Sequence, residues 1–312
     1  MTTENGLLPV SLDFVFKLIF NDPKNVDITQ NFLSAVLNLP EEEFVSLKFI
    51  NAELKRKFND DKLSVLDVRV ETAKKSDIAI EVQVAPDKAM ASRALYYWSE
   101  MFSSNLMKSE SYAKLPQTII INILKFNMFQ HAKYHSIFQI KEDTENIVLT
   151  DLLRIDFIEL DKITNKPIDT KNSALQWMHF INTQDEGVLQ MLSQQNPMIK
   201  KAVGVLKVLS ADEQVRLEAQ YRERAIRDEI SRMESSRTEG IEIGEARGIL
   251  KGEARGILKG EAIGEAKGEA KKAKEIAKNS LAIGLSIEQI QSITGLPKEE
   301  ILALKQKFSK KQ

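Results

Sequence analysis

Apolar residues recur at helical spacing near the start of the chain and in short alternating runs after it. Residues 10–38 carry the helical pattern, and the pair Asp22-Pro23 divides it into two segments. Runs that are rich in β-branched residues, with polar or proline-containing stretches on either side, predict strands. The predicted strands are residues 45–50, 63–71, 78–84, 118–124, 137–140 and 155–160.

The order of these elements indicates the fold class. A predicted helix from about Asp87 to Met107 lies between the third and fourth strands, and further helices are expected from about Ser173 onward. Helix, three strands, helix and strand in this order predict an α/β sheet with the crossover helix packed against one face.

The C-terminal part of the chain has a different pattern. Eight glycines occupy every fourth position from Gly240 to Gly268, and ARGILKGE occurs twice in succession over residues 246–261. The residues between the glycines are strong helix formers, so the pattern predicts a long helix, although each interior glycine costs about 1 kcal/mol relative to alanine. Two interpretations stay open: a glycine stripe that packs against a partner helix, and a loosely helical spacer produced by repeat expansion.

Two short helices are predicted after the repeat. Ser286 is a candidate N-cap with Gln289 at the capping-box position, Gly295 ends the first helix, and Pro297 lies where the second begins. A DNA-binding helix-turn-helix is one interpretation and a small helical hairpin is the other, because basic residues do not crowd the start of the second helix. We therefore expect three parts: an α/β domain over residues 1–210, a long helical glycine-repeat linker or oligomerisation segment over residues 211–278, and a helical hairpin over residues 279–312.

Composition limits the classes of protein that the chain can belong to. The 312 residues are 43% hydrophobic, which is enough for a sizeable core, and the absence of cysteine excludes disulfides and thiolate metal sites. The formal net charge is only -1, so any surface that binds nucleic acid must come from local arrangement. No basic, apolar leader and no membrane-length apolar run is present, so a cytoplasmic protein without a membrane partner is expected.

Alternation along the second and third strands brings acidic residues together on one face. If the turn between these strands closes with Glu71 opposite Asp77, then Asp67 lies directly opposite Glu81. The other, apolar face is expected to carry Leu66, Val68 and Val70 from the second strand.

Two carboxylates that face each other across a strand pair destabilise the fold unless a positive charge lies between them. Mg²⁺, with Mn²⁺ or Ca²⁺ in substitution, prefers oxygen ligands and binds phosphate oxygens as well, which is typical of phosphodiester hydrolysis. Gln83 follows Glu81 on the same face and would orient the attacking water. The alternative interpretation is that this face is simply the solvent-exposed side of a half-buried hairpin.

Several segments together carry a resemblance to a known family. They are DFVFKLIF at 13–20, KLSVLDVRVE at 62–71, IAIEVQV at 78–84, RALYYWSEMFSSNL at 93–106 and YAKLPQTIIINIL at 112–124. In their order and spacing, over roughly residues 8–210, the chain resembles the PD-(D/E)XK nuclease superfamily, and more closely the Rpn family of recombination-promoting nucleases and transposases. The resemblance implies a restriction-endonuclease-like αβββαβ core followed by a long C-terminal helical extension.

The resemblance also implies roles for individual residues. Asp67 and Glu81 match the metal-binding carboxylates, and Gln83 stands where many superfamily members have the catalytic lysine. Leu66 replaces the usual proline before the first aspartate, which changes backbone preference but removes no ligand. Asp13 in the first helix matches a further acidic metal ligand, and its alternative role is an N-cap for that helix.

Three basic residues are candidate contacts to the DNA backbone. Arg93 on the crossover helix is the strongest of them, and the others are Lys17 in the first helix and Arg69 beside Asp67. The neighbouring aromatic rings, Tyr97 and Trp98, are expected to be core residues. His131 and His135 have helical metal-pair spacing but lie in predicted loop and strand, so we interpret them as structural.

These features together predict a metal-dependent DNA endonuclease with a role in recombination or transposition. Its expected partners are DNA and a second copy of the chain, joined through the C-terminal helix. The alternative is a catalytically silent scaffold with a nuclease fold that assembles through the same helix.

Overall fold

The computed structural model describes residues 6–54, 64–106 and 110–309. The chain forms two compact units, Met1–Met233 and Glu234–Gln312. None of the described helices is both long enough and apolar enough to cross a membrane.

The first unit opens with the two predicted helices, α1 (Asp13–Phe20) and α2 (Val26–Leu37). Pro23 begins a single 3-10 turn between them, because proline fits the first turn of a helix but cannot continue the preceding one. Phe20 and Phe32 both pack edge to face on Trp177, with ring centroids 5.7 and 5.8 Å away. Aromatic packing of this kind anchors the two helices in the main core.

Of the eight strands found among the described residues, six form one mixed sheet. The strands are β1 (Lys48–Phe49), β2 (Glu53–Leu54), β3 (Ser64–Val65), β4 (Val68–Glu71), β5 (Asp77–Gln83), β6 (Thr118–Leu124), β7 (His135–Phe138) and β8 (Leu153–Glu159). Their order in the sheet is β1-β4-β5-β6-β8-β7, with β5, β6 and β8 parallel to one another and the other pairs antiparallel. β2 and β3 pair separately.

Helices cover both faces of this sheet. The crossover helix α3 (Met90–Ser104) lies between β5 and β6 in sequence and packs on one face, whereas α1 packs against β5 from the other. The remaining helices follow the sheet: α4 (Ser173–Asn182), α5 (Glu186–Gln195), α6 (Pro197–Ala211), α7 (Glu213–Ala282), α8 (Ile287–Thr294) and α9 (Lys298–Ser309). The predicted order of helix, strands, crossover helix and strand is confirmed, as is the long C-terminal helix.

Three details differ from the sequence-based expectations. Leu66 packs with Ala79 and Ile120 on the α3 side of the sheet, and not with Val68, because the chain bends at Asp67 and the alternation of faces restarts there. The short strand β2 was not predicted at all. The expected strand start at position 63 and the expected helix end at position 107 lie outside the described residues.

The second unit contains the predicted helical hairpin. Ser286 caps α8 with the full capping box that includes Gln289, and Gly295 ends the helix with a φ of 68°, a left-handed conformation that glycine adopts at little cost. A small apolar cluster of Ala277, Ile290, Leu296 and Ile301 holds the hairpin together.

The repeated glycines of α7 lie in open space. A methyl group added at any of the eight positions from Gly240 to Gly268 would meet no atom within 4 Å. We therefore expect the double substitution Gly248→Ala and Gly256→Ala to stabilise the helix by about 1 kcal/mol per site. The expected result is a higher helical signal in circular dichroism and a later melting of that signal.

The same two-site variant also tests whether the glycine stripe holds two copies together. If the stripe does hold two copies together, light scattering would give a smaller mass for the variant than for the parent. The reason is that the added methyl groups prevent close approach of two helices. A fall in helical signal would contradict the expected stabilisation.

Candidate active site

The β4–β5 hairpin has the predicted register. Its ladder pairs Val68 with Ile80 at one end and Glu71 with Asp77 at the other. Asp67 lies at the bend one residue before β4, so it is the next position along the ladder, beside Glu81.

Asp67 is partly exposed, and its environment favours the protonated carboxyl. Burial raises its pKa to about 6, and the negative charge of Asp13 acts in the same direction. The Val82 N–H donates a 2.8 Å hydrogen bond to Oδ2 and opposes this rise, as do the charges of Lys17 and Arg93. Bending at Asp67 thus lets its side chain take the place of a ladder hydrogen bond and fixes the carboxylate next to β5.

Glu81 is more deeply enclosed, with only 5% of its surface exposed. Burial and the neighbouring Asp67 charge together raise its pKa to about 8, against a smaller lowering effect from Arg93. Nη2 of Arg93 lies 3.5 Å from one carboxylate oxygen, Oε2. The other oxygen, Oε1, is buried without a hydrogen-bond partner among the described residues.

These two carboxylates suit a divalent cation. The negative charge of Asp67 adds to the burial that raises the pKa of Glu81, and a positive ion between the two acids removes that repulsion. The unpartnered Oε1 of Glu81 is a free oxygen ligand of the type that Mg²⁺ prefers. The donor set therefore fits a hard metal ion held by Asp67 and Glu81.

The alternative interpretation, in which this face of the hairpin is exposed to solvent, is wrong. Asp77 is 2% exposed and Glu81 is 5% exposed, because α3 covers this side of the sheet. Tyr97 belongs to the same buried layer, as expected for a core aromatic ring, and Trp98 donates its Nε1–H to the Thr118 carbonyl.

Arg93 connects the groups around Glu81. Its Nη2 donates a 2.8 Å hydrogen bond to Gln83 Oε1, and its Nη1 lies 3.5 Å from Asp87 Oδ2. The guanidinium also lies 5.7 Å from the centre of the Tyr97 ring. The amide nitrogen of Gln83 donates one N–H to the Ala85 carbonyl, at 3.0 Å, so the second lone pair of its oxygen and its second N–H are left to orient a water.

Asp13 is engaged by a residue that the sequence did not suggest. Its carboxylate forms a 2.9 Å ion pair with Arg222 of α7. Asp13 is also not an N-cap: Leu12 holds that position, and no side chain caps α1. Across the described residues, no three side chains of Asp, Glu, His or Cys are grouped to hold a metal, so the expected three-carboxylate set is not assembled.

Arg69 lies inside the fold and not at a surface where it could contact DNA. It is 8% exposed, and its guanidinium binds both oxygens of Asp77 at 3.0 and 2.6 Å. Asn105 of the segment after α3 donates a further 2.8 Å bond to Asp77. The expectation that Arg69 contacts DNA is therefore corrected, because its charge is used inside the fold.

The two histidines with metal-pair spacing contact different partners. His135 contacts Asp156 at 2.8 Å, and His131 contacts the Ser136 hydroxyl at 3.2 Å. Each ring is thus engaged by a side chain of the fold.

Comparison with known proteins identifies the family. A family model described as PD-(D/E)XK nuclease family transposase matches residues 10–236, which is more than half of the chain and includes every candidate site residue. The chain is a member of this PD-(D/E)XK nuclease family. The resemblance seen in the sequence motifs is thus confirmed. No curated protein and no solved structure matched the chain.

Membership of the PD-(D/E)XK family supports a nuclease- or transposase-like function for the chain. A nuclease family implies DNA as the substrate. Nucleases of this family generally use divalent metals, which agrees with the paired carboxylates of the site. The matched range ends at residue 236, inside α7, so the glycine repeat lies beyond the family's shared domain.

Proposed function

We propose that this chain is a metal-dependent endonuclease that hydrolyses DNA phosphodiester bonds at Asp67 and Glu81. The observation that carries the proposal is the pairing of the partly exposed Asp67 with the buried Glu81, whose pKa values rise to about 6 and about 8. Such a pair favours binding of a positive ion over mutual repulsion. Mg²⁺ is the proposed ion, with Mn²⁺ or Ca²⁺ as substitutes.

Asp67 and Glu81 would hold the metal through carboxylate oxygens. When bound, the ion would polarise the phosphoryl group, lower the pKa of a water and stabilise the leaving oxygen. The protein's own part is to fix both acids on adjacent strands: Asp67 through its hydrogen bond to the Val82 N–H, and Glu81 through its place within β5. Gln83 would orient the attacking water with its remaining oxygen lone pair, in place of the family's more usual lysine.

Two cations are proposed to hold the substrate. Arg93 has a planar guanidinium suited to phosphate, and it already lies against Glu81 and Gln83 at the edge of the site. Lys17 acts on the same region, because its charge lowers the pKa of Asp67. Contacts to phosphate oxygens carry no base information, so these residues would position DNA without reading its sequence.

A role in recombination or transposition is proposed from the family description. Self-association through α7 would bring two such sites to one duplex, one for each strand. α7 presents exposed aliphatic side chains for such a contact, among them Ile249, Leu250, Ile257 and Leu258.

Removal of the metal is expected to stop cleavage. The full chain, first treated with EDTA and dialysed, should leave supercoiled plasmid intact, and adding Mg²⁺ or Mn²⁺ should restore nicking. The reason is that the chain lacks a lysine at Gln83 and would depend on the ion to generate the nucleophile. Agarose gels of plasmid against metal concentration measure the effect.

The scaffold alternative gives the opposite result in the same experiment. A silent nuclease fold would leave plasmid intact at all metal concentrations. Equal nicking with and without metal would instead indicate a contaminating or metal-independent activity, and either result would sink the proposed function.

A further inference from the structure

Strand β6 has one amide side chain at a position where the rest of the strand is aliphatic. Asn122 lies inside the run Thr-Ile-Ile-Ile-Asn-Ile-Leu and has no exposed surface. Its Nδ2 donates a 3.1 Å hydrogen bond to the carbonyl of Asp156 on β8. Its Oδ1 is buried without a partner among the described residues, and leaving a buried acceptor unsatisfied destabilises the fold.

The register of the sheet places this amide beside the candidate active site. β5 and β6 are parallel, and Glu81 is paired with Asn122. Paired residues on adjacent strands share a face, with backbones about 4.8 Å apart. The Nδ2 is held from the β8 side by the Asp156 carbonyl, and the neighbour on the other side is β5 with Glu81.

Three unpartnered polar atoms belong to residues of this region. They are Oδ1 of Asn122, Oε1 of Glu81 and Nε of Arg93, and all are buried. With Glu81 in its carboxylate form, two of them are acceptors and one is a donor, so the acceptors cannot satisfy each other. One water molecule can donate to both acceptors and accept from the donor, and buried waters make about three such bonds.

We propose that Asn122 holds a water molecule between these three atoms and acts as a positioning residue for Glu81. The water fixes Oε1 of Glu81 and the guanidinium of Arg93 before any substrate arrives. The inference rests on the proposed function, because the group being positioned is the proposed metal ligand. Loss of a residue that orients a metal ligand typically weakens metal binding by about 10- to 100-fold.

Thr118 provides a matched control on the same strand. It shares the α3-side face with Asn122, is fully buried, and its hydroxyl also lacks a partner among the described residues. Its neighbour on β5 is Asp77 and not Glu81. Asn122→Leu and Thr118→Val therefore both remove a buried polar atom without changing size greatly, but only the first removes it beside Glu81.

The test is calorimetric titration of the full chain with Mn²⁺. Asn122→Leu is expected to lower Mn²⁺ affinity by about 10-fold or more, whereas Thr118→Val should bind as the parent does. Equal affinity of Asn122→Leu and the parent would overturn the role of Asn122 while leaving the proposed function intact. If the parent itself gives no Mn²⁺ heat that Asp67→Ala abolishes, the proposed function and this inference both fail.

A second pair of variants covers the case in which leucine prevents folding. Asn122→Ser keeps an acceptor and Asn122→Ala does not, while the two side chains are similar in size. The serine variant should bind Mn²⁺ more tightly than the alanine variant, and identical affinities would contradict the proposal. A high-resolution crystal structure of the parent should contain a water within hydrogen-bond distance of the three atoms, and its absence would likewise overturn it.

Discussion

Glu81→Gln is expected to abolish most DNA cleavage while it stabilises the metal-free protein. The amide keeps the size of the side chain but removes the charged ligand, and metal assistance worth several kcal/mol corresponds to a loss of roughly 10²–10⁴-fold in rate. Plasmid nicking under saturating Mg²⁺ measures this loss. Exposed Glu229 on α7 provides the control, and Glu229→Gln should cut as the parent does.

The stabilising effect of Glu81→Gln depends on pH. The pKa of Glu81 rises from 4.5 to about 8 on folding, so its favourable contribution is fully present below about pH 4.5 and is lost as pH rises through about 8. At pH 8 the parent therefore carries a buried repulsion with Asp67 that glutamine removes. We expect a gain of about 1–2 kcal/mol, or roughly 2–8 °C in Tm for a domain of this size.

Thermal unfolding in EDTA at pH 5 and pH 8 measures this gain. The difference in Tm between Glu81→Gln and the parent should be larger at pH 8, and saturating Mg²⁺ should stabilise the parent alone. A variant that still cuts DNA, or a Tm difference that is the same at both pH values, would show that Glu81 does not have the proposed role.

Asp77→Ala is expected to destabilise the first unit by about 3–5 kcal/mol. Its carboxylate holds the Arg69 guanidinium through two hydrogen bonds in a site where both residues are nearly fully buried. Alanine would leave a positive charge enclosed without a counter-charge, which costs far more than the loss of an exposed ion pair. Urea unfolding of the metal-free protein, followed by tryptophan fluorescence, measures the change.

Two further variants show whether this effect comes from the isolated charge. Glu71→Ala breaks an exposed ion pair with Lys75 on the same hairpin and should cost about 0–1 kcal/mol. Replacing Arg69 by Met together with Asp77 by Leu should recover much of the stability lost in Asp77→Ala. An Asp77→Ala protein as stable as the parent would contradict the buried-pair interpretation.

The features that follow from local periodicity were predictable from the sequence. Strand alternation and a short polar turn determined the register of β4 and β5, so the approach of Asp67 to Glu81 was expected before the structure. The bend at Asp67 was not expected, because alternation of apolar residues continues through Leu66 without a break in the sequence.

Contacts between distant positions left no local signal. Asp13 contacts Arg222, 209 residues away, and no pattern in the sequence near either residue indicates this contact. Arg69 was misassigned for a related reason: a basic residue near acidic ones looks the same whether it faces DNA or a buried aspartate. Asn122 did carry a signal, a single amide in an aliphatic strand, but a role for it follows only from its sheet neighbours.

The contact between Arg222 and Asp13 bears on how small a working fragment can be. Arg222 also lies 5.4 Å from the centre of the Phe14 ring, so the start of α7 is joined to the first helix by both charge and stacking. A fragment trimmed at residue 210 would lose that cation and leave Asp13 free to repel the acid at position 67. The shortest excised version that preserves the native charge balance must therefore retain the opening turns of α7.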